Sequence, residues 1–421
     1  MTINKININV NSEIGKLEGV IVHTPGHEVE NMTPENAERS LYSDILNLNV
    51  ALKEYNEFSQ VLKKLTNVFE VNDLLRDILE NEKVRTNLIH RICQNEQKSE
   101  LIAYLSSLNN AELACQLIEG VEMKKDTLTK YLDKERFSLS PLPNFFFTRD
   151  ASISMNDNVI ISRMANKVRE RESLIMESIF DFHPMFSVNT FNPVKTYDVS
   201  GKATIEGGDV LIAHENIILS GISARTNSQG IDSILEYFKT KPGVKHLILQ
   251  ELPLKPESFI HLDMTFTFLD FDKCMVFEPL ILQSNRYFTI HITVDGDKVA
   301  SIKEEKNILE ALKKLGIDLK PISCGGRNDI YFKEREQWQS GANFFALAPG
   351  KIIGYGRNIH TINELNKNGF EVIRACDVVE ERVNLDNYEK YVITIEGNEL
   401  SRGGGGARCM TMPIARQAIK W

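Results

Sequence analysis

The sequence predicts an α/β fold in which a ββαβ unit recurs about five times and closes into a ring, with a small helical bundle inserted once. Three observations carry that prediction. Apolar strands come in pairs split by short polar turns, the pattern of hairpins. Helical patterns followed by one further strand separate the pairs. Only the stretch from 73 to 135 departs from this rhythm. A closed ring of such units leaves no exposed sheet edge.

Residues 1–10 alternate apolar and polar side chains like a strand, and residues 19–25 read as half of a hairpin. The segment after Cys409 completes that hairpin by bringing the C-terminus back beside the N-terminus. After a strand at 68–71 come five short apolar groups, centred on Leu75, Leu88, Ile102, Leu117 and Tyr131, each with helical spacing. Asp73, Ser99, Asn110 and Asp126 are their expected N-caps. Complete hairpins are predicted over 151–163, 209–222, 264–277 and 343–357. Helices at 231–240 and 306–315 each lead to one more strand, at 246–249 and 317–322. Residues 1–72 and 136–421 therefore read as the α/β body and 73–135 as the inserted bundle.

Composition narrows the function classes. Hydrophobic residues at 42% and charged residues at 25% place the 421-residue chain among ordinary globular proteins. A net charge of −9 without any Lys/Arg run argues against a nucleic-acid partner. The N-terminus lacks the apolar core and cleavage site of a signal peptide. No apolar run approaches the ~20 residues of a membrane helix, so no membrane partner is expected. Six scattered cysteines with no C-x-x-C pair suit a reducing cytoplasm rather than a disulfide framework or zinc knuckle. A homo-oligomer is compatible with the sequence.

Four polar segments stand at the starts of the hairpins: Asn144 to Asp150, Glu206-Gly207-Gly208-Asp209, His261-Leu262-Asp263, and Arg402 to Cys409, the last with four consecutive glycines. If the units are radial, these segments converge and bring carboxylates, an imidazole and a thiol into one pocket. Such a set suits attack on a guanidinium carbon. Carboxylates bind that planar cation through paired hydrogen bonds, and its poorly electrophilic carbon needs a thiolate nucleophile and a proton-shuttling base. Arg408 beside Cys409 would lower the thiol pKa, whereas Asp150, Glu206 and Asp263 nearby would raise it, which leaves the resting thiolate fraction open. Each piece has a plainer reading: Asp150 as a cap, Glu206 to Asp209 as a turn, His261 as a core histidine, the glycines as a linker. Asp263, two residues beyond His261, would share its face of a strand.

Taken together, Phe147-Thr148-Arg149-Asp150, Glu206-Gly-Gly-Asp209, His261-Leu-Asp263 and the loop from Arg402 to Cys409 closing in Met410-Thr411-Met412-Pro413 resemble the arginine deiminase family, of the guanidino-modifying superfamily. The resemblance spans the chain. It implies a five-bladed α/β propeller and hydrolysis of L-arginine to L-citrulline and ammonia, without metal or cofactor. It implies that Cys409 forms a covalent amidino-thioether, that His261 is the acid/base, and that Asp150, Glu206 and Asp263 hold the guanidinium. Arg225 and Arg169 (with Arg171 as the alternative to Arg169) would bind the substrate carboxylate, Asn144 and Phe147 would line that end, and Arg402 would move over the site. The plainer reading of Arg169 is a surface helix charge paired at i+3 or i+4. The rivals are an agmatine deiminase or amidinotransferase of the same superfamily, a metallohydrolase using His261, Asp263, Asp150 and Cys409, and a non-catalytic arginine-binding protein.

Overall fold

The computed structural model describes residues 5–33, 44–197, 201–327 and 329–421. Five of its sheets share one topology, an antiparallel strand pair whose second strand also carries a parallel neighbour. Ser152–Met155 pairs with Asn158–Ile161, which runs parallel to Asn189–Phe191. Val210–His214, Ile217–Ile222 and Val244–Glu251 repeat the arrangement. So do Phe266–Asp270, Lys273–Val276 and Lys320–Ser323. Phe345–Ala348, Lys351–Tyr355 and Tyr391–Ile395 form a fourth copy. In the remaining one the C-terminal strand Met412–Arg416 lies antiparallel to Leu17–Val22, which is parallel to Asn67–Glu70. The chain's end thus completes the sheet begun at its start, as its sequence predicts.

Three details differ from expectation. The hairpin Thr289–Asp295 and Lys298–Glu305 was not anticipated; it leaves the unit that contains it and extends the neighbouring sheet by pairing with Val244–Glu251. In the last unit, Glu371–Arg374 follows the helix yet lies at the sheet's outer edge, and the later strand Tyr391–Ile395 takes the inner place. The N-terminal strand is only Ile6–Asn7, beside Phe186–Ser187; the first four residues of the expected strand lie outside the described residues.

Between Asn67–Glu70 and residue 136 the chain is mainly helical, with helices Val71–Ile78, Glu82–Glu96, Ile102–Ser107, Asn110–Glu119 and Leu128–Leu132. The caps shift from those expected. Asn109, not Asn110, closes a reciprocal capping box with Glu112, and Thr127, not Asp126, caps the last helix. Asp73 sits inside a first turn because that helix runs straight on from the strand, and Ser99 opens a 3-10 turn without capping it. Leu74, Leu75, Leu88 and Ile92 belong to the same apolar core as Ile175, Met176 and Ile179 of helix Glu170–Phe182. No described helix is long and apolar enough to cross a membrane.

Candidate active site

The polar segments lie just ahead of their hairpins and meet. Glu206 opens the 3-10 turn Gly207–Asp209, and His261 opens a second, Leu262–Met264. His261 and Asp263 therefore occupy a turn, not one face of a strand as expected. Asp209 ties the two turns together: its carboxylate accepts the Leu262 N–H at 2.9 Å and the Ser223 hydroxyl at 2.6 Å. Gly208 is required here, since a Cβ would stand 2.3 Å from His261 Nδ1.

His261 Nε2 lies 3.0 Å from Glu206 Oε2, and its Nδ1 lies 3.6 Å from Asp150 Oδ1. Burial alone would keep the ring neutral, but Asp150, Glu206 and Asp209 raise its pKa to about 9. Burial pushes Glu206 up, yet His261, Arg225 and Arg169 outweigh it and hold the carboxyl at about 2. At neutral pH this is an imidazolium bonded to a carboxylate.

The Cys409 sulfur, almost fully buried, lies 3.6 and 3.9 Å from the two oxygens of Asp263. Burial, then Asp263 and Asp150, push the thiol well above its ordinary range, against the Gly406 N–H and Arg408. Arg408 thus lowers the thiol pKa as expected, but burial and the carboxylates outweigh it. Its guanidinium is already engaged, bidentate on buried Glu13 and 2.8 Å from Asp263. Arg149 anchors the nucleophile's backbone by donating from its guanidinium to the Arg408 carbonyl and Thr411 hydroxyl, while its backbone N–H donates to the Cys409 carbonyl.

Arg169 is buried rather than on the surface. Glu172 grips it through two nitrogens, at 3.0 and 2.8 Å, and its Nη1 donates to Asp150 Oδ2 at 2.7 Å, with Glu206 4.0 Å away. Arg169 is paired at i+3, as the plainer reading expects, though buried, and it stands in the carboxylate cluster. Arg171 points elsewhere, to Glu96 and the Ser140 carbonyl. Arg225 Nη1 lies 3.9 Å from Glu206. The buried Asn144 offers its carbonyl to Arg169 at 3.4 Å. Phe147 packs on Phe146 and so closely on the glycine run that a Cβ at Gly405 would be 2.5 Å from its ring. The four glycines are not a slack linker: Gly405 and Gly406 are forced by contact with Phe147 and Asn343, and Gly404 takes a left-handed φ of 84°. Arg402 is not brought to the sulfur; it is half-exposed and held by Asp44 at 2.8 Å and Glu399 at 3.0 Å. An open cavity of about 430 Å³ borders the cluster, lined by Arg225, Ile260, Trp338, Arg402 and Gly403 among others.

Sequence reasoning missed Glu13, Glu172 and Asn343, and it placed Asp209 in a motif without giving it a role. Asn343 had a signal, since its hairpin was the one mouth left without a polar residue assigned. Asp150, Glu206 and His261 offer ligand atoms within 4.8 Å of one another, a spacing that would admit a metal ion. Their chemistry does not favour one: the ring is held protonated, and Arg169 and Arg225 already crowd the carboxylates with positive charge.

A model of the arginine deiminase family matches residues 39–416. Among curated relatives, an arginine deiminase of Bacillus cereus (strain B4264) is 36% identical, with 98% of this chain and 99% of that protein covered. One from Borreliella afzelii is 33% identical, with 98% of each covered. Among solved structures, the N-terminal domain of ArgZ, an arginine dihydrolase from Cyanobacteria with bound product, has a TM-score of 0.51 at 14% identity, covering 94% of this chain and 97% of that one. SxtG, an amidinotransferase from Microseira wollei, has the same score and identity over 98% of both chains. These two share the mixed α/β fold. The family model and the near full-length relatives decide the assignment: the chain belongs to the arginine deiminase family.

Proposed function

We propose that this protein hydrolyses L-arginine to L-citrulline and ammonia through a covalent intermediate on Cys409. One observation carries the reading. Within a single buried cluster, Asp150 Oδ1 and Arg225 Nη1 have no hydrogen-bond partner among the described residues. One is an acceptor suited to a guanidinium N–H, the other a donor suited to a carboxylate. Arginine carries both groups, at its two ends.

Asp150, Glu206 and Asp263 receive the guanidinium, each charge-assisted hydrogen bond contributing about 1.5–3 kcal/mol. Arg169, whose own guanidinium is already on Asp150, yields that oxygen and turns with Arg225 to the α-carboxylate, while Glu172 retains it. Asn144 and Phe147 line that end. The incoming cation offsets the charge of Asp150 and Asp263, the two carboxylates that raise the thiol pKa, so the thiol releases its proton to solvent when substrate is bound. The thiolate attacks the guanidinium carbon and a C–S bond forms. Protonated His261 gives its proton to the departing nitrogen, and the C–N bond breaks to release ammonia. The now neutral imidazole takes a proton from water as it attacks the same carbon, and the C–S bond breaks to give citrulline. Arg402 leaves Asp44 and Glu399 to close over the cavity.

The five like sheets support a ring of five units, a propeller of ββαβ modules, with residues 73–135 as an insert in its first unit. Six unpaired cysteines suit the cytoplasm. Agmatine deiminase is the nearest rival, and the arginine pair argues against it because agmatine has no carboxylate. Citrulline release from arginine, with agmatine turned over poorly and with EDTA without effect, is the expected assay result. Preferred turnover of agmatine, or dependence on added metal, would overturn the proposal.

A further inference from the structure

We infer that Asn343 completes the reacting constellation, its side-chain amide fixing the Cys409 sulfur and donating a hydrogen bond to the thiolate as that forms. The role in turnover rests on the arginine-hydrolysis reading above; the amide–sulfur contact stands apart from it.

Asn343 is 1% exposed and lies just ahead of strand Phe345–Ala348. Asp150, Asp209, Asp263 and Cys409 likewise stand one to three residues ahead of their own strands. The orientation of its amide follows from its neighbours. The oxygen accepts the backbone N–H of Arg408 at 2.9 Å and of Cys409 at 3.2 Å. Only an oxygen serves two donors, so the nitrogen must face the other way. There it meets the Cys409 sulfur at 3.2 Å and the Asp263 carbonyl at 3.1 Å. One side chain thus joins the nucleophile, the backbone carrying it, and the turn carrying Asp263. Gly406 lets it come this close, since a Cβ there would be 2.7 Å from Asn343.

The groups facing the sulfur explain why an amide is used. Asp263 and Asp150 disfavour the thiolate, Tyr355 lies near enough to interact, and the Arg408 charge is engaged by Glu13 and Asp263. A lysine at position 343 would stabilise the thiolate but repel a cationic substrate. A neutral N–H donor stabilises the anion without adding charge, and it is in place before the reaction begins.

The test uses Asn343→Asp and Asn343→Ala in the full-length protein. Alanine removes the donor without adding charge and isolates its effect; aspartate keeps an oxygen for the two backbone N–H groups but sets an anion beside the sulfur, and serves if the alanine variant fails to fold. Alkylation of Cys409 by iodoacetamide, followed across pH by mass spectrometry of its peptide, reads the thiolate without any substrate. Expected is an alkylation profile displaced upward, by about one pH unit or more for Asn343→Asp, with kcat falling about 10²-fold and KM little changed. A profile superposing on that of the unaltered protein in either variant would overturn the inference, as would kcat within about twofold of it. If the unaltered protein makes no citrulline yet the profiles shift, the arginine reading fails and the contact stands.

Discussion

At the residue scale, the site works by crowding opposite charges until few polar atoms remain unpaired. Gly208 shows how tight this is. Alanine there would press its Cβ against His261 Nδ1, 2.3 Å away, so the imidazole must move while the turn survives. Gly208→Ala is expected to keep its melting temperature within a few degrees and lose about 10²-fold in kcat, because displacement of a reacting group by ~1 Å costs that much. Unchanged kcat would mean that His261 does not act where it stands. Arg225→Met is expected to raise KM for arginine about tenfold or more and leave agmatine turnover as it was; equal losses on both substrates would remove Arg225 from carboxylate binding. Sequence made Asp150, Glu206, His261, Asp263 and Cys409 legible as candidates because each stands in a short polar motif ahead of a hairpin. Their partners were not legible. Glu13 lies in an unremarkable N-terminal segment, and its pairing with Arg408 spans nearly the whole chain. Nothing local marks Glu172 as the residue that grips Arg169.

At the element scale, hairpins were legible and helix starts were off by a residue or more. Apolar strands split by turns carry a strong periodic signal, whereas adjacent Asn109 and Asn110 compete as caps and only geometry decides between them. The extra hairpin at Thr289–Asp295 was hidden because its outer strand, Lys298–Glu305, is largely polar and exposed. A buried ion pair joins elements near the first strand: His23 sits between Glu28, 3.3 Å away, and Glu70, 3.4 Å away. Burial opposes its charge, but the two carboxylates raise its pKa to about 10 from an ordinary 6.5. Its stabilisation is therefore complete below about pH 6.5 and lost as pH rises through about 10. His23→Gln is expected to lose on the order of 3–5 kcal/mol at neutral pH. Thermal melts from pH 7 to about 10.5 should show the gap between the two proteins narrowing as the histidine deprotonates. A constant gap would mean that His23 is neutral in the folded protein.

At the scale of the whole molecule, the repeat of one sheet topology was readable from sequence, as was the return of the C-terminus to the first sheet. The closeness of the helical stretch to the body was not. Its apolar residues and those of helix Glu170–Phe182 form one core, so removing it uncovers Ile175, Met176 and Ile179. Excision of residues 73–135 is expected to give an aggregating, inactive protein by sedimentation and citrulline assay; a folded, active remainder would show the stretch to be an independent appendage. The same long-range closure brings residue 409 to residues 150 and 263, and the proposed chemistry depends on it. The most direct test is intact-mass and peptide mass spectrometry of a His261→Ala variant quenched after exposure to arginine. The account predicts one amidino adduct, on Cys409, absent when Cys409 is also replaced by serine. An adduct on any of the other five cysteines, or citrulline still formed by Cys409→Ser, would contradict it.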